Sequence, residues 1–570
     1  MLLLLDTTLL VLSFGSLVVL YFIISYVFFY LFLNNNKSNS SIHSPPSYPI
    51  LGCLTSFYNN RFRLLNWYTD LLAESPSQTT VIKRLGARRT IVTANPDNVE
   101  YILKTNFSNF PKGRPFTEIL GDLLGNGIFN VDGEQWRAQR KFASHGFTTK
   151  SLRGFVAKTL EEEVNERLLP ILLESATDDG DGNYNNVDLQ DLLKRFAFDV
   201  VCKVSLGFDP CCLDPSMPVS PLARAFDVAS EISARRGAAP VVLVWKMKRA
   251  LGVGSERVLR KAIEHVHECV DEMIEQKSKR NGGGGGDDLL SRLISEGHEK
   301  EMIRDMVISF IMAGRDTTSA VMTWLFWLLS QHTHVEEQLV NEIKTTLTTS
   351  TNNTNHSSTI DEQDIYSRSS TRTCSADDDD DDDHHHHHHH TALNYEALKE
   401  MRMLHACLCE SMRLYPPVAW DSKHAIIDDK LPDGTPVKSG DRVTYFPYGM
   451  GRMEALWGKD RLEFKPERWF LEPAAEDGGE QMMRNDVSAY KFPVFQAGPR
   501  VCLGKEMALV QMKYVVAAVL DRFQIRPVRP EEPVFVPFLT AHMAGGFNVR
   551  IQRRAAATTT TTTTTTCPST

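Results

Sequence analysis

Phe495-Gln496-Ala497-Gly498-Pro499-Arg500-Val501-Cys502-Leu503-Gly504 puts one cysteine at the close of a Gly- and Pro-containing loop, and an amphipathic run (KEMALVQMKYVVAAVL, 505–520) follows at once. That order has a chemical logic. A metal-ligating sulfur is a thiolate, and nearby donors and positive charge keep it deprotonated. A helix starting just after Cys502 would aim backbone N–H groups and a positive dipole end at the sulfur. Gly498 and Gly504 would let a flat cofactor approach the backbone. Phe495 opens the loop, and Arg500 could pair with an anionic cofactor group. A lone cysteine is more often a small buried hydrophobe, but the full F-x-x-G-x-R-x-C-x-G pattern is far more specific.

Outside this loop the apolar spacing is mainly helical. It predicts helices over 135–143, 151–175, 183–206, 222–235, 255–280, 302–330, 392–415 and 503–523. Residues 81–93 (VIKRLGARRTIVT) are β-branched and partly alternating, with Gly86 and Arg88-Arg89 at the turn, which predicts a hairpin. Asn95-Pro96 then opens a further helix, and short strands return at 423–427, 442–446 and 533–551. The fold class is mainly α with minor β. With 570 residues, 42% hydrophobic and 23% charged, the chain can build a large core and is neither disordered throughout nor coiled coil. The net charge is −9, but the run Asp377 to Asp383 supplies seven of those charges, leaving nothing that suggests a nucleic-acid partner. Ten scattered cysteines without a CxxC exclude a disulfide framework and fit a reducing compartment.

The ends and one insertion stand apart. Leu9 to Leu33 carries no charge and no proline. Its twenty-five residues, at about 1.5 Å each, exceed the roughly 30 Å core of a bilayer. Residues 1–33 read as a single membrane anchor rather than a cleaved signal peptide, and Asp6 before against Lys37 after favours a cytoplasmic C-terminal side. Residues 34–52 form a polar, Pro-rich linker to a catalytic domain over 53–554. Gly282 to Gly286 is a flexible loop, 345–390 a low-complexity insertion ending in seven Asp and seven His, and 555–570 a Thr-rich tail without the apolar content to fold. The His run could hold metal, though a solvated insertion is the preferred reading.

Several ordered motifs together give a family resemblance. They are the cysteine loop, Glu410-Ser411-Met412-Arg413 (E-x-x-R), Pro466-Glu467-Arg468-Trp469, Ala313-Gly314-Arg315-Asp316-Thr317-Thr318, and Trp136-Arg137-Ala138-Gln139-Arg140 (W-x-x-x-R). From about Pro45 to Arg554 the chain resembles the cytochrome P-450 haem-thiolate monooxygenases. The resemblance implies haem b ligated by Cys502, with Trp136, Arg140, Arg500, Phe495, Gly498 and Gly504 as its binding residues. It also implies a structural network of Glu410, Arg413 and Arg468. Thr317 would hydrogen-bond dioxygen and Asp316 would relay protons, with Gly314 marking a local opening of the helix. On the residues alone, threonines bonded back to helix carbonyls are the competing reading. Ala313 stands where some animal fatty-acid ω-hydroxylases carry a glutamate that esterifies haem, so the haem is expected to be non-covalent. Lys423 and His424 are both candidates for a second propionate partner.

Residues 121–147, 443–460 and 492–513 resemble the plant clan of fatty-acid ω-hydroxylases, in the subgroup with jasmonoyl-isoleucine hydroxylases and oxidases. The resemblance implies hydroxylation at or near the terminal carbon of fatty acids or their carboxylate derivatives. Phe116, Leu120, Leu124, Phe129 and Ala313 are candidate pocket residues, against ordinary core. Arg114, Lys112 or Arg88 could anchor the carboxylate, against plain solvated charge. No flavin or nicotinamide fingerprint is present. Electrons would come from NADPH through a separate flavoprotein reductase, docked on Arg137, Lys141, Lys505 and Lys513. The implied setting is the endoplasmic reticulum membrane, with the catalytic domain on its cytoplasmic side. Other classes are a reductase-independent hydroperoxide isomerase or dehydratase, disfavoured by Asp316-Thr317, and a non-catalytic haem or metal scaffold.

Overall fold

A long helix, α5 (Lys300–Gln331), organises the molecule in this computed structural model. The structure describes residues 15–26, 44–48 and 51–554, except 86, 148, 177–185, 215–219, 240, 281–287, 357–392, 472–481 and 485. Around α5 lie α1 (Arg114–Leu124), α2 (Gly133–Ser144), α3 (Leu189–Leu206), α4 (Pro221–Ala238), α6 (Thr333–His356), α7 (Arg402–Leu414) and α8 (Lys505–Arg522). The C-terminal half of α5 (Val321 to Leu329) packs into one apolar cluster with α3, α7 and α8. Its N-terminal half (Ile303 to Ile311) packs into a second with α1, α3 and α4. Ala313 to Thr317 lie between these two packed halves and belong to neither.

The predicted hairpin forms as β1 (Thr79–Ile82) and β2 (Thr90–Thr93), antiparallel with Thr79 opposite Thr93. With β3 (Asp421–His424) and β4 (Arg442–Tyr445) it makes a four-stranded sheet in the order β1-β2-β4-β3. The β2–β4 pair is parallel and the β3–β4 pair antiparallel, which sets Asp421 opposite Tyr445. The mainly helical class is therefore as read from the sequence.

Several boundaries differ; the helix expected over 183–206, for instance, begins at Leu189 after the strand Val187–Asp188. The segment predicted as one helix over 392–415 is a short helix, Tyr395–Glu400, then α7. Residues 113–129 contain a full helix, α1, that the pattern did not single out. The insertion read as starting at 345 starts later, because α6 continues to His356 and Leu347 is buried in the core. Thr345, Thr346, Thr348 and Thr349 keep their hydroxyls bonded to carbonyls four residues back, at 2.8–2.9 Å, so a polar run stays helical.

Of the apolar N-terminal run, residues 15–26 are helical and expose Leu17, Phe22 and Ile24. Among the described residues no helix is long and apolar enough to cross a membrane. The ends of the run, the polar linker, Gly282 to Gly286, the Asp and His runs and the Thr-rich tail fall outside the described residues, wholly or in most of their length.

Candidate active site

The cysteine loop is built on a close approach. Gly498 has φ 64°, and a Cβ there would stand 2.1 Å from the Leu103 carbonyl oxygen, so only glycine fits. The close approach is thus to the chain's own backbone. Gly504, in contrast, has an ordinary φ of −86° as the residue before α8. The Cys502 N–H donates to the Phe495 carbonyl at 2.8 Å and closes the loop. Phe495 is half-buried beside the main core.

Cys502 is accessible, as a ligand must be. Enough protein surrounds it that lost hydration pushes its thiol above the usual range. The Gly504 N–H, Arg140 and Lys505 pull the other way. Arg140 is half-buried, donates to the Val501 carbonyl at 2.7 Å, and has no carboxylate within ion-pair distance among the described residues. An uncompensated cation beside a thiol favours the thiolate and an anionic neighbour. The Trp136 ring is buried beneath this cation and Arg500, whose guanidinium carbon lies 4.5 Å from the ring centre. The donor set fits a thiolate-held metal with an anionic periphery. A metal would take the sulfur as thiolate, with loss of its proton.

Arg500 is differently engaged from the expectation. It donates to the Val131 carbonyl at 2.8 Å and to Asp132 Oδ1 at 2.7 Å. Its charge is already matched by a carboxylate, so its first task is to fix the loop. Lys423 is buried and paired with Asp421 at 2.9 Å. Burial brings it down to about 7. His424 Nδ1 lies 2.5 Å from the Lys112 carbonyl oxygen. A carbonyl only accepts, so the proton sits on Nδ1, and the buried, unpartnered Nε2 is an acceptor ill-suited to a carboxylate.

On α5 the expected opening is absent: helix runs unbroken from Lys300 to Gln331. The Thr317 hydroxyl donates to the Ala313 carbonyl at 2.7 Å and Thr318 to Gly314 at 2.8 Å. The back-bonded reading is the one found. Gly314 is required by packing instead, since α3 approaches it closely through Val201. Asp316 is half-buried, and its Oδ1 accepts no hydrogen bond, with Arg315 Nη1 3.3 Å away. Arg315 is held chiefly by Asp227 of α4, at 2.7 and 3.1 Å.

The E-x-x-R network closes as the spacing implies. Arg413 donates to Glu410 through Nε and Nη2, both at 2.8 Å. Arg468 and Trp469 reach the same carboxylate at 2.7 and 3.0 Å. Arg413 also binds the carbonyls of Gly451, Arg461 and Glu463. Glu410 and Arg413 are buried and support the loops around the site.

The pocket candidates divide. Leu120 and Leu124 are buried in the second apolar cluster, and Phe116, Phe310 and Leu503 are partly buried residues packed against it. Phe129 is 36% exposed. Of the candidate carboxylate anchors, Lys112 is buried on Asp421 at 2.7 Å, which removes it. Arg88 is exposed and donates to the Gly440 carbonyl. Arg114 is exposed and has no ion pair among the described residues. Of the docking residues, Lys141 and Lys505 are exposed and Arg137 is exposed on a pair with Glu134. Lys513 is buried and donates to the Leu398 carbonyl at 2.7 Å, so it presents no charge to a partner. Sequence reasoning missed Asp421 and Asp132, whose partners are distant along the chain.

The chain is similar to known proteins over most of its length. The family model described as Cytochrome P450 matches residues 42–364 and 383–543. The chain is 56% identical over 544 residues to Cytochrome P450 94B1 of Arabidopsis thaliana, covering 94% of this chain and 97% of that one. It is 42% identical to Cytochrome P450 94A1 of Vicia sativa, covering 90% and 92%. A crystal structure of the cytochrome P450DA heme domain superposes with a TM-score of 0.68 at 20% identity, over 90% of this chain and 98% of that one, and bears on the fold alone.

Proposed function

This chain belongs to the cytochrome P450 family, and we propose that it hydroxylates the terminal or near-terminal carbon of a fatty-acid-derived carboxylate. Membership makes it a haem-dependent monooxygenase with a thiolate-ligated haem and electrons drawn from a separate reductase. When bound, the haem supplies the activation of dioxygen and the insertion of one oxygen atom into a C–H bond.

The chain's own residues do the rest. Cys502 would be the ligand, with the Gly504 N–H and Arg140 favouring negative charge on its sulfur against the effect of burial. Trp136 and Arg140 would hold the haem's carboxylate edge, while Arg500 keeps the loop in place through Asp132. Thr317 presents a hydroxyl whose present acceptor is the Ala313 carbonyl, so it can turn to hold a proton at Oγ1. Asp316 Oδ1 accepts no hydrogen bond and lies 3.3 Å from Arg315 Nη1, which leaves a lone pair to accept and pass one. Phe116 and Phe310, partly buried against the cluster that holds Leu120 and Leu124, would furnish apolar surface for an acyl chain. Arg114, at the start of α1, is exposed and has no ion pair among the described residues, which leaves it able to meet a carboxylate. Ala313 carries no group that could esterify the haem, which keeps it non-covalent.

The observation that carries this reading is the accessible Cys502 beside an unmatched Arg140. We further propose that the apolar run Leu9 to Leu33 anchors the enzyme in the endoplasmic reticulum membrane, with the catalytic domain cytoplasmic. Product analysis by mass spectrometry tests the substrate, using purified enzyme, reductase and NADPH with fatty acids beside jasmonoyl-isoleucine. Hydroxylated free acids support the main reading. Oxidised jasmonoyl-isoleucine alone narrows it to that derivative, and no product from either sinks the substrate class. Turnover of a hydroperoxide without NADPH would make it an isomerase or dehydratase.

A further inference from the structure

The backbone of Gln496 stands at φ 62° and ψ −179°. Only glycine occupies that region freely, and a strained non-glycine residue persists only where its surroundings over-determine it. Gln496 follows Phe495, the residue whose carbonyl accepts the Cys502 N–H. A change at 496 therefore moves the loop that presents the sulfur.

The surroundings are specific. The Gln496 side-chain amide donates to Asp421 Oδ2 at 3.0 Å, and its oxygen is bonded by the Tyr445 hydroxyl. Asp421 and Tyr445 are register partners on β3 and β4, both buried, with the hydroxyl 2.9 Å from the carboxylate. The same carboxylate receives Lys112 at 2.7 Å, Lys423 at 2.9 Å and the Ser422 N–H at 2.8 Å. Burial would raise its pKa, yet Lys112 and Lys423 hold it well below the usual carboxylate range. Asp421 is thus a fixed anion that the loop can lean on.

A second carboxylate repeats the arrangement. Asp132 accepts the backbone N–H groups of Lys112 and Gly113, both at 3.0 Å, and also accepts Arg500 at 2.7 Å. The turn that opens α1 is therefore joined to the cysteine loop twice, through Asp421 to Gln496 and through Asp132 to Arg500. Lys112 also stands 4.3 Å over the ring of Phe116 on α1.

We propose that Asp421 is a positioning residue: it holds Gln496 in a glycine-like conformation, so setting the Cys502 loop, and ties that loop to the turn that opens α1. The proposal rests on Cys502 as the iron ligand. It acts through Gln496 and touches no reacting atom.

The test compares Gln496→Ala, Gln496→Gly, Asp421→Asn and Asp421→Asn in the Gln496→Gly background, all as full-length holoenzyme. The readout is the share of the ferrous carbonyl complex that shows the thiolate-type band. Gln496→Ala removes the holding bonds and leaves the strain, so the share without that band should rise several-fold. Gln496→Gly removes both, so it should stay near the parent. Asp421→Asn should resemble Gln496→Ala, and the glycine background should largely abolish its effect. Equal behaviour of alanine and glycine at 496, or an undiminished Asp421→Asn effect in the glycine background, overturns the proposal. If Asp421→Asn yields no folded protein, Tyr445→Phe deletes one of the bonds on Gln496 and should give a smaller shift of the same kind, while an unmoved band overturns it. Absence of the thiolate-type band in the parent itself would instead sink the ligand assignment.

Discussion

A Cβ on Gly314 would stand 2.5 Å from Val201 Cγ2, closer than packed carbon atoms come. Gly314 is thus where α3 and α5 touch, beside Thr317 and Asp316, to which we assign the handling of protons. Val201 is β-branched and stiff, so it cannot swing clear without leaving its rotamer. Gly314→Ala should cost about 1–3 kcal/mol through overpacking. Val201→Ala in the same chain should recover most of that loss in thermal unfolding. Additive losses would show that packing at this point is not what excludes the methyl.

Glu410 and Arg413 form a buried pair that also binds Arg468, Trp469 and three carbonyls. Removing one partner leaves the other charged, buried and unmatched. Glu410→Ala should cost about 3–5 kcal/mol and lower haem retention, measured as haem per protein and by unfolding. Stability within error of the parent would contradict the network.

Thr317→Ala deletes a hydroxyl whose bond is to its own helix. The stability change should be small, within about 1 kcal/mol, while hydroxylated product per NADPH falls and peroxide rises. Unchanged coupling, measured from product and peroxide together, would remove Thr317 from proton handling.

His424 supplies a pH signature. Burial holds it at about 4 against an ordinary 6.5. The unfolded chain therefore binds a proton between those values that the folded chain does not. Its contribution is present above pH 6.5 and is lost as pH falls through that window, on the order of 3 kcal/mol in total. His424→Asn keeps a donor for the Lys112 carbonyl without the titration, so unfolding followed from pH 7 to 4 should show a flatter decline. An unchanged slope would place the acid sensitivity elsewhere.

Cys502→Ala should abolish the thiolate-type carbonyl band in the reconstituted enzyme. Persistence of that band would overturn the ligand assignment whatever the effect on turnover.

What could be read from the sequence was local. Glu410 and Arg413 are three apart on one helical face, so their pairing is a matter of spacing. The β1–β2 hairpin likewise follows from alternation across a short turn. Gly314 was misread because its cause, Val201, lies on another helix. Lys513 looked like a surface lysine, yet α8 is enclosed on nearly every side, and the ammonium finds a carbonyl there. Asp421 and Asp132 were invisible because their partners, Lys112, Gln496 and Arg500, meet them only once the sheet has formed. The start of the insertion was misplaced because threonines bonded to their own helix look like linker composition.

That last boundary has a practical side. Leu347, within the α6 that leads into the insertion, and Leu393, just beyond it, line the same small cleft against Tyr514 and Ala517 of α8. The core thus fixes both the helix that leads into the insertion and the chain that leaves it. Doubling the length of a flexible closure costs only about 0.6 kcal/mol. A reporter, an affinity handle or a protease site put in place of residues 357–392 should therefore leave the Cys502 loop and its thiolate-type carbonyl band as they are.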